Sequence, residues 1–194
     1  KTLALAWTAR VTAGTGGGTR GGGPPTIVGG EGPDAALSSG VNVKGSILKV
    51  NDVLYVTSPD NVWAVDARDG RTIWHYFWKT RGGIHIGNRG VGIYGDWLFF
   101  ETPDNYLVSL DARTGKERWH TVIAPFEHQY FSTTAPVVIR DHVIVGTGND
   151  LDAPGFLQSF DPRDGTLEWK FYTVPMNAGV PGGDRWGSLD AARH

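Results

Sequence analysis

Apolar and polar residues alternate along three stretches of this chain: "DVLYVTS" from Asp52, "DWLFFET" from Asp96 and "HVIVGTG" from His142. A period of two predicts β-strands rather than helices. Each stretch leads through a turn into a further apolar run that ends in one pattern. The three copies are "AVDARDGRTIW" (Ala64–Trp74), "SLDARTGKERW" (Ser109–Trp119) and "SFDPRDGTLEW" (Ser159–Trp169), with Gly four residues and Trp eight residues after the Asp. Two of the stretches are preceded by another apolar run, "RGVGIYG" and "APVVIRD". The unit is therefore strand, turn, strand, turn, strand, Asp-x-x-x-Gly turn, strand. It recurs after 45 and then 50 residues, at Asp66, Asp111 and Asp161. Periods of about 40–50 residues mark propeller blades, and four short antiparallel strands make one blade. The expected fold is all-β, a β-propeller with blades at about 41–78, 89–122 and 133–174. A single antiparallel sandwich is the alternative, and three copies of one eleven-residue pattern stand against it.

The pattern has a physical reading. Gly supplies the positive φ of a tight hairpin, and Asp bonds back to the turn backbone. A Trp ring at the start of the outer strand can cover the neighbouring blade's turn and seal the seam. Trp7 in "LALAWTARV" reads as the end of an earlier copy, a closing strand at about 1–11. Residues 12–40 read as a Gly/Pro-rich surface loop, and 175–194 as a C-terminal loop. Closed propellers need at least about four blades. The remaining blades are therefore expected from the same protein or another chain, with this chain a part of something larger. A start at Lys1 rather than Met suits a processed or trimmed N-terminus.

Composition narrows the function. A net charge of −2 argues against a nucleic-acid or anionic-membrane surface. No cysteine is present, which excludes disulfides and thiolate metal sites. The chain contains no GxSxG and no P-loop, and the glycine tract at 14–23 precedes no helix, so it is no dinucleotide site.

Counting back from the pattern Asp residues gives candidate chemistry. Lys44 and Arg89 each lie 22 residues before their Asp. Thr133 lies 28 before Asp161, five of them due to the longer third repeat. All three therefore fall near the start of an innermost strand, on one face and close to the axis. Two cations and a hydroxyl there suit an anionic, multiply carboxylated ligand. An ion pair with a pattern Asp is the alternative for Arg89, and a solvated surface position for Lys44. The long loop "GTGNDLDAPG" (Gly146–Gly155) belongs to the same face. Its Asn149, Asp150 and Asp152 are hard oxygen donors suited to Ca²⁺, or an ordinary Asx-rich turn. His85 and His128 lie close enough in sequence to reach the same face.

The repeat resembles the tryptophan-docking motif of quinoprotein dehydrogenases, eight-bladed propellers that use pyrroloquinoline quinone (PQQ) and usually calcium. "GNRGVGIYGDWLFFETPDNYLVSLDARTGKERW" is similar to that family's second-blade region, where Asn-Arg-Gly supplies an arginine to the quinone. "FSTTAPVVIRDHVIVGTG" resembles its Thr-x-Ala-Pro segment, whose Thr contacts the cofactor. The C-terminal "GFLQSFDPRDGTLEWKFYTVP" with "PGGDRW" resembles a further family segment. The resemblance implies cofactor contacts from the segments that hold Asn88, Arg89 and Thr133; Lys44, placed by the count, and His85, placed by its nearness in sequence, are expected as further cofactor neighbours. It implies a metal ligand at Asp150, or at Asp152 if the alignment shifts. The family's catalytic Asp, its calcium-binding Asn and one stacking Trp fall beyond residue 194. Two departures stand out: Lys44 occupies a place where the alcohol-dehydrogenase branch commonly has Glu, and "GGIHIGNRG" lacks the adjacent cysteines that often cover the quinone there. Either Ile84 or His85 takes over that cover, or nothing does. The implied function is oxidation of an alcohol or sugar in a periplasmic or otherwise exported enzyme, with a cytochrome or other electron acceptor. The alternatives are a non-catalytic binding or assembly scaffold, and a degenerate quinoprotein without cofactor.

Overall fold

The computed structural model describes residues 3–14, 24–33, 41–83, 87–149 and 153–174. They form three sheets. The first contains β1 (Thr26–Gly29), β2 (Leu48–Val50), β3 (Val53–Ser58), β4 (Asn61–Asp66) and β5 (Thr72–Trp78). The second contains β6 (Gly92–Tyr94), β7 (Trp97–Glu101), β8 (Tyr106–Asp111) and β9 (Glu117–Val122). The third contains β10 (Val137–Ile139), β11 (His142–Thr147), β12 (Phe156–Phe160) and β13 (Leu167–Tyr172). In each sheet four strands run antiparallel in chain order. These are the three expected propeller blades.

One expectation fails. The segment 12–40, read as a surface loop, contributes β1, which adds parallel to the outer edge of β5 in register from Thr26 against His75 to Gly29 against Trp78. A buried histidine helps hold it there. His75 Nε2 lies 2.9 Å from Asn61 Oδ1, and its Nδ1 lies 3.1 Å from Thr26 Oγ1. Asn61 Oδ1 also accepts the Gly14 N–H. These partners suit a neutral ring with the proton on Nε2, and burial pushes His75 down to about 4. Residues 3–13 form no strand, so the expected closing strand at 1–11 is absent among the described residues. Trp7 nevertheless occupies the expected seam, its Nε1 donating to Ala67 O at 3.1 Å.

The seams follow the predicted logic. Gly70, Gly115 and Gly165 all have φ near +70° to +80°. The Asp carbonyl accepts the glycine N–H at 2.8–2.9 Å in every copy. The Asp carboxylate accepts a turn N–H from Arg68, Arg113 or Arg163. A Cβ on Gly70, Gly115 or Gly165 would meet the ring of Trp7, Trp74 or Trp119 at 2.6–2.7 Å. Each Trp thus lies flat against the next turn where only hydrogen fits. A bulge at the same place in each sheet, opposite Ala64/Val65, Ser109/Leu110 and Ser159/Phe160, precedes the Trp. Bulges re-aim side chains, and here they turn the Trp toward the neighbouring blade.

Blade 2 is buried on both faces. Leu98 and Phe100 pack toward blade 1 with Tyr55, Val62, Trp74, Tyr76 and Trp78. Phe99 and Leu107 pack toward blade 3 with Val143, Val145, Phe156 and Phe160. The other face of blade 3 exposes Val137, Ile139, Trp169 and Phe171.

Candidate functional site

The chain enters β2, β6 and β10 on one face, and the three lead-in segments lie side by side there. The Ser46 N–H donates to Arg89 O at 3.0 Å, and the Arg89 N–H donates to Thr133 O at 2.9 Å. Close backbone approach makes this lacing fit. A Cβ on Gly45 would meet Arg89 C at 2.8 Å and Asn88 O at 2.9 Å, and one on Gly90 would meet Ser46 O at 2.9 Å. The structure thus brings Lys44, Asn88, Arg89 and Thr133 together at adjoining innermost strands.

Their equivalence is one residue different from the count. In the inner ladders Val50 faces Val53, Tyr94 faces Trp97 and Ile139 faces His142. Aligned on these pairs, Lys44 matches Asn88 and Thr133, and Arg89 sits one place further in. The cause is the turn that the count crosses. Four residues separate paired Thr57 and Val62 in blade 1, whereas five separate paired Glu101 and Leu107 in blade 2.

Side chains at these positions differ in exposure. Lys44 and Arg89 are exposed and Thr133 is half-buried. The stem of Lys44 rests on Gly87, whose Cβ would lie 3.3 Å from Lys44 Cδ. Arg89 makes no ion pair with a pattern Asp. Those carboxylates serve the opposite face, Asp66 with Arg68 and Asp161 with Arg163. Asn88 is 2% exposed, and its carboxamide is committed to the protein: Nδ2 donates to Glu101 O at 3.0 Å and Oδ1 accepts the Gly90 N–H at 2.9 Å. Its role is to shape the turn through Arg89.

The long loop of blade 3 begins on the same face, where Gly146 O accepts from Thr134 Oγ1 at 3.2 Å. Asn149 Nδ2 donates to His128 O at 2.6 Å. That bond ties the loop to the 3₁₀ turn Phe126–His128. His85, Asp150 and Asp152 lie outside the described residues. Among the described residues, no three His, Asp or Glu side chains are grouped to hold a metal.

Sequence reasoning missed Glu101. It is 1% exposed, and its Oε1 lies 2.6 Å from Thr134 Oγ1. Its Oε2 is buried without a hydrogen-bond partner among the described residues. Burial pushes its carboxyl up to about 8, against a smaller opposing effect of Thr134. The signal was an acid in "WLFFE" at a position that alternation assigns to the interior.

A cleft of about 390 Å³ opens on the opposite face between blades 1 and 2, walled by Tyr55, Ile73, Trp74 and Ala112. It lies among the Asp-x-x-x-Gly turns, away from the lead-in segments.

Residues 1–192 match the family described as the glucose/ethanol/alcohol dehydrogenase β-propeller domain, PQQ. The chain is 34% identical over 154 residues to the dehydrogenase subunit of alcohol dehydrogenase (quinone) from Gluconobacter oxydans (strain 621H), covering 72% of this chain and 20% of that protein. It is 36% identical over 137 residues to quinohemoprotein alcohol dehydrogenase ADH IIB from Pseudomonas putida, covering 66% and 20%. Among solved structures, quinohemoprotein alcohol dehydrogenase ADHIIG from Pseudomonas putida HK5 superposes with a TM-score of 0.69 at 26% identity, over 94% of this chain and 25% of that one. The chain spans about a fifth of the length of these curated relatives.

Proposed function

Because this chain belongs to the PQQ-type glucose/ethanol/alcohol dehydrogenase β-propeller family, we propose that it forms the quinone-holding lead-in face of an alcohol- or sugar-oxidising dehydrogenase. The observation that carries this reading is the backbone lacing of Ser46, Arg89 and Thr133, which presents two cations and a hydroxyl at adjoining innermost strands. That donor set fits a tricarboxylated quinone: Arg and Lys recognise carboxylates and quinone oxygens, and Thr adds a hydroxyl donor. Arg89 would hold a quinone oxygen, Thr133 a carboxylate and Lys44 a second acidic group. Asn88 acts behind them by fixing the Arg89 turn. His85 is proposed as a neighbour of the quinone, and Asp150, or Asp152, as the chain's ligand to Ca²⁺. Bound PQQ supplies a two-electron acceptor for the substrate's hydride.

In this reading the base that takes the alcohol proton comes from outside residues 1–194. Further blades, from the same protein or another chain, cover the apolar face of blade 3, where Trp169 is 41% exposed. A haem group or cytochrome as electron acceptor, and an exported or periplasmic location, complete the proposal. A second reading, a propeller that has lost its cofactor, is favoured by one feature: the stretch before Asn88 has no cysteine, in a chain with none.

One experiment separates them. The intact protein is mixed with PQQ and Ca²⁺, desalted, and its quinone absorbance read. The proposal expects retained quinone near one per protein in the wild type and a loss of about tenfold or more in affinity for Arg89→Ala, as for removal of a charge-assisted bond. A wild type that retains none overturns it.

A further inference from the structure

The lead-in face holds an acid to which the reading above gives no task. Glu101 ends β7, and the inner ladders make Thr57 its equivalent in blade 1 and Gly146 its equivalent in blade 3. One place in the repeat thus carries a hydroxyl, a carboxyl and no side chain. Alternation along β7 puts Glu101 on the same side as Phe99, toward blade 3. Its carboxyl crosses the seam, with Oε1 2.6 Å from Thr134 Oγ1, and that hydroxyl is 3.2 Å from Gly146 O. Its main-chain carbonyl meanwhile accepts from Asn88 Nδ2 at 3.0 Å. The side chain therefore touches the residue after Thr133, and the main chain touches the residue before Arg89.

We propose that Glu101 is a positioning residue that sets the offset between Arg89 and Thr133 across the seam of blades 2 and 3. The inference rests on the reading that these two residues hold the quinone. The Arg89 N–H on Thr133 O closes the loop of contacts that Glu101 opens. Shifting either lead-in segment would break this bond or the Glu101–Thr134 contact.

Glu101 does this as a neutral acid. Among the described residues, the groups set against it are Thr134 and Gly146 from blade 3, Asn88 from its own blade and Leu107 across the ladder. None of them is charged. A buried carboxylate without a charged partner is costly, and burial lifts this one from 4.5 to about 8. With the proton on Oε1, the carboxyl donates to Thr134 Oγ1, and the freed hydroxyl proton donates to Gly146 O. With the proton gone, the hydroxyl must turn to the carboxylate, and Gly146 O loses its donor. The folded-state pKa is raised, so this contribution is full below about 4.5 and fades as pH rises toward about 8.

The test compares wild type, Glu101→Gln and Glu101→Leu in the intact protein, with two readouts. Amide hydrogen exchange is followed by mass spectrometry in peptides covering 87–92 and 131–136, with 167–172 as control, and retained quinone is measured after desalting with PQQ and Ca²⁺. Glu101→Leu should speed exchange in both lead-in peptides by about tenfold, as expected for a lost hydrogen bond, and leave the control unchanged. It should also lower quinone retention. Glu101→Gln, neutral and isosteric, should restore both. Wild-type protection, corrected for intrinsic rates, should fall between about pH 5 and about pH 8 and level off above, and that of Glu101→Gln should not fall. Unchanged exchange in Glu101→Leu, no rescue by Gln, or a pH dependence that persists in Gln overturns the proposal. A wild type that retains no quinone overturns the functional reading instead, and the exchange data still decide the placement role of Glu101.

Discussion

A methyl group on Gly115 should cost much more than one on Gly95, although both glycines sit at positive φ. Gly115 has φ +71° and Gly95 φ +57°. Alanine in that region costs about 1–2 kcal/mol for the backbone alone. The two sites differ in what the new Cβ meets. At Gly95 nothing lies within 4 Å. At Gly115 the Cβ would lie 2.7 Å from Trp74 Cδ2 and Cε3 and 2.9 Å from Ile27 Cδ1. Trp74 is 3% exposed and its Nε1 donates to Ala112 O at 3.0 Å, so the ring has little room to withdraw. Overpacking of that kind adds about 1–3 kcal/mol. Gly115→Ala should therefore destabilise by about 2–5 kcal/mol and Gly95→Ala by about 1–2 kcal/mol. Urea midpoints of the intact protein, followed by tryptophan fluorescence, give the comparison. The cycle with Trp74→Leu isolates the ring: in that background Gly115→Ala should fall to the Gly95→Ala value. Equal losses at the two glycines, or a Gly115→Ala loss that ignores Trp74, would refute the view that the ring's contact with the bare turn seals the seam.

Two further outcomes follow from individual groups. His75 is held neutral by burial at about 4, below its ordinary 6.5. Its folded-state pKa is depressed, so its contribution is present above about 6.5 and lost as pH falls to about 4, in total about 3 kcal/mol. Stability measured from pH 7 down to pH 4 should show that slope, and His75→Gln should flatten it. At the seams, Trp74 Nε1 donates to Ala112 O, whereas the matching carbonyl of Pro162 accepts from Arg118 and Trp119 Nε1 is buried without a partner among the described residues. Trp74→Phe should therefore cost about 1 kcal/mol more than Trp119→Phe, the net worth of one hydrogen bond, as read from the same urea midpoints.

The blades were legible because their punctuation answers to the backbone. A hairpin that needs positive φ, a side-chain acceptor and a flat ring will accept few residues, so Asp, Gly and Trp recur at fixed offsets. β1 escaped notice for the opposite reason: "TIVG" is short and lies among glycines and prolines, and the parallel ladder with β5 and the bond to His75 come from distant residues. The bulges before the three Trp residues leave no mark on spacing, since they skip Ile73, Arg118 and Glu168 alike. The lead-in face was legible in outline. Its register slipped by one because the turn after Glu101 is a residue longer than the turn after Thr57.

That slip bears on where chemistry can reside in such a chain. The face with the Asp-x-x-x-Gly turns must repeat, because each Trp has to find the same bare glycine one blade further on. The lead-in face carries no such demand. Its lacing, Ser46 to Arg89 and Arg89 to Thr133, is made by main-chain groups, so once Gly45 and Gly90 stay bare it does not dictate the side chains at 44, 88 and 133. Side chains there are free to differ from blade to blade, and they do: Lys44, Asn88 and Thr133 share one ladder position, and Thr57, Glu101 and Gly146 share another. A repeat located by its conserved face therefore reports the fold but is silent on the ligand. The ligand is read from positions that the repeat makes equivalent and the residues make different. Glu101 was invisible to a count from the Asp residues. It stands out once the ladders set it beside a threonine and a glycine, because a buried acid in that company needs a reason in the fold or in the site, and its contacts with Thr134 and Asn88 supply one that bears on both.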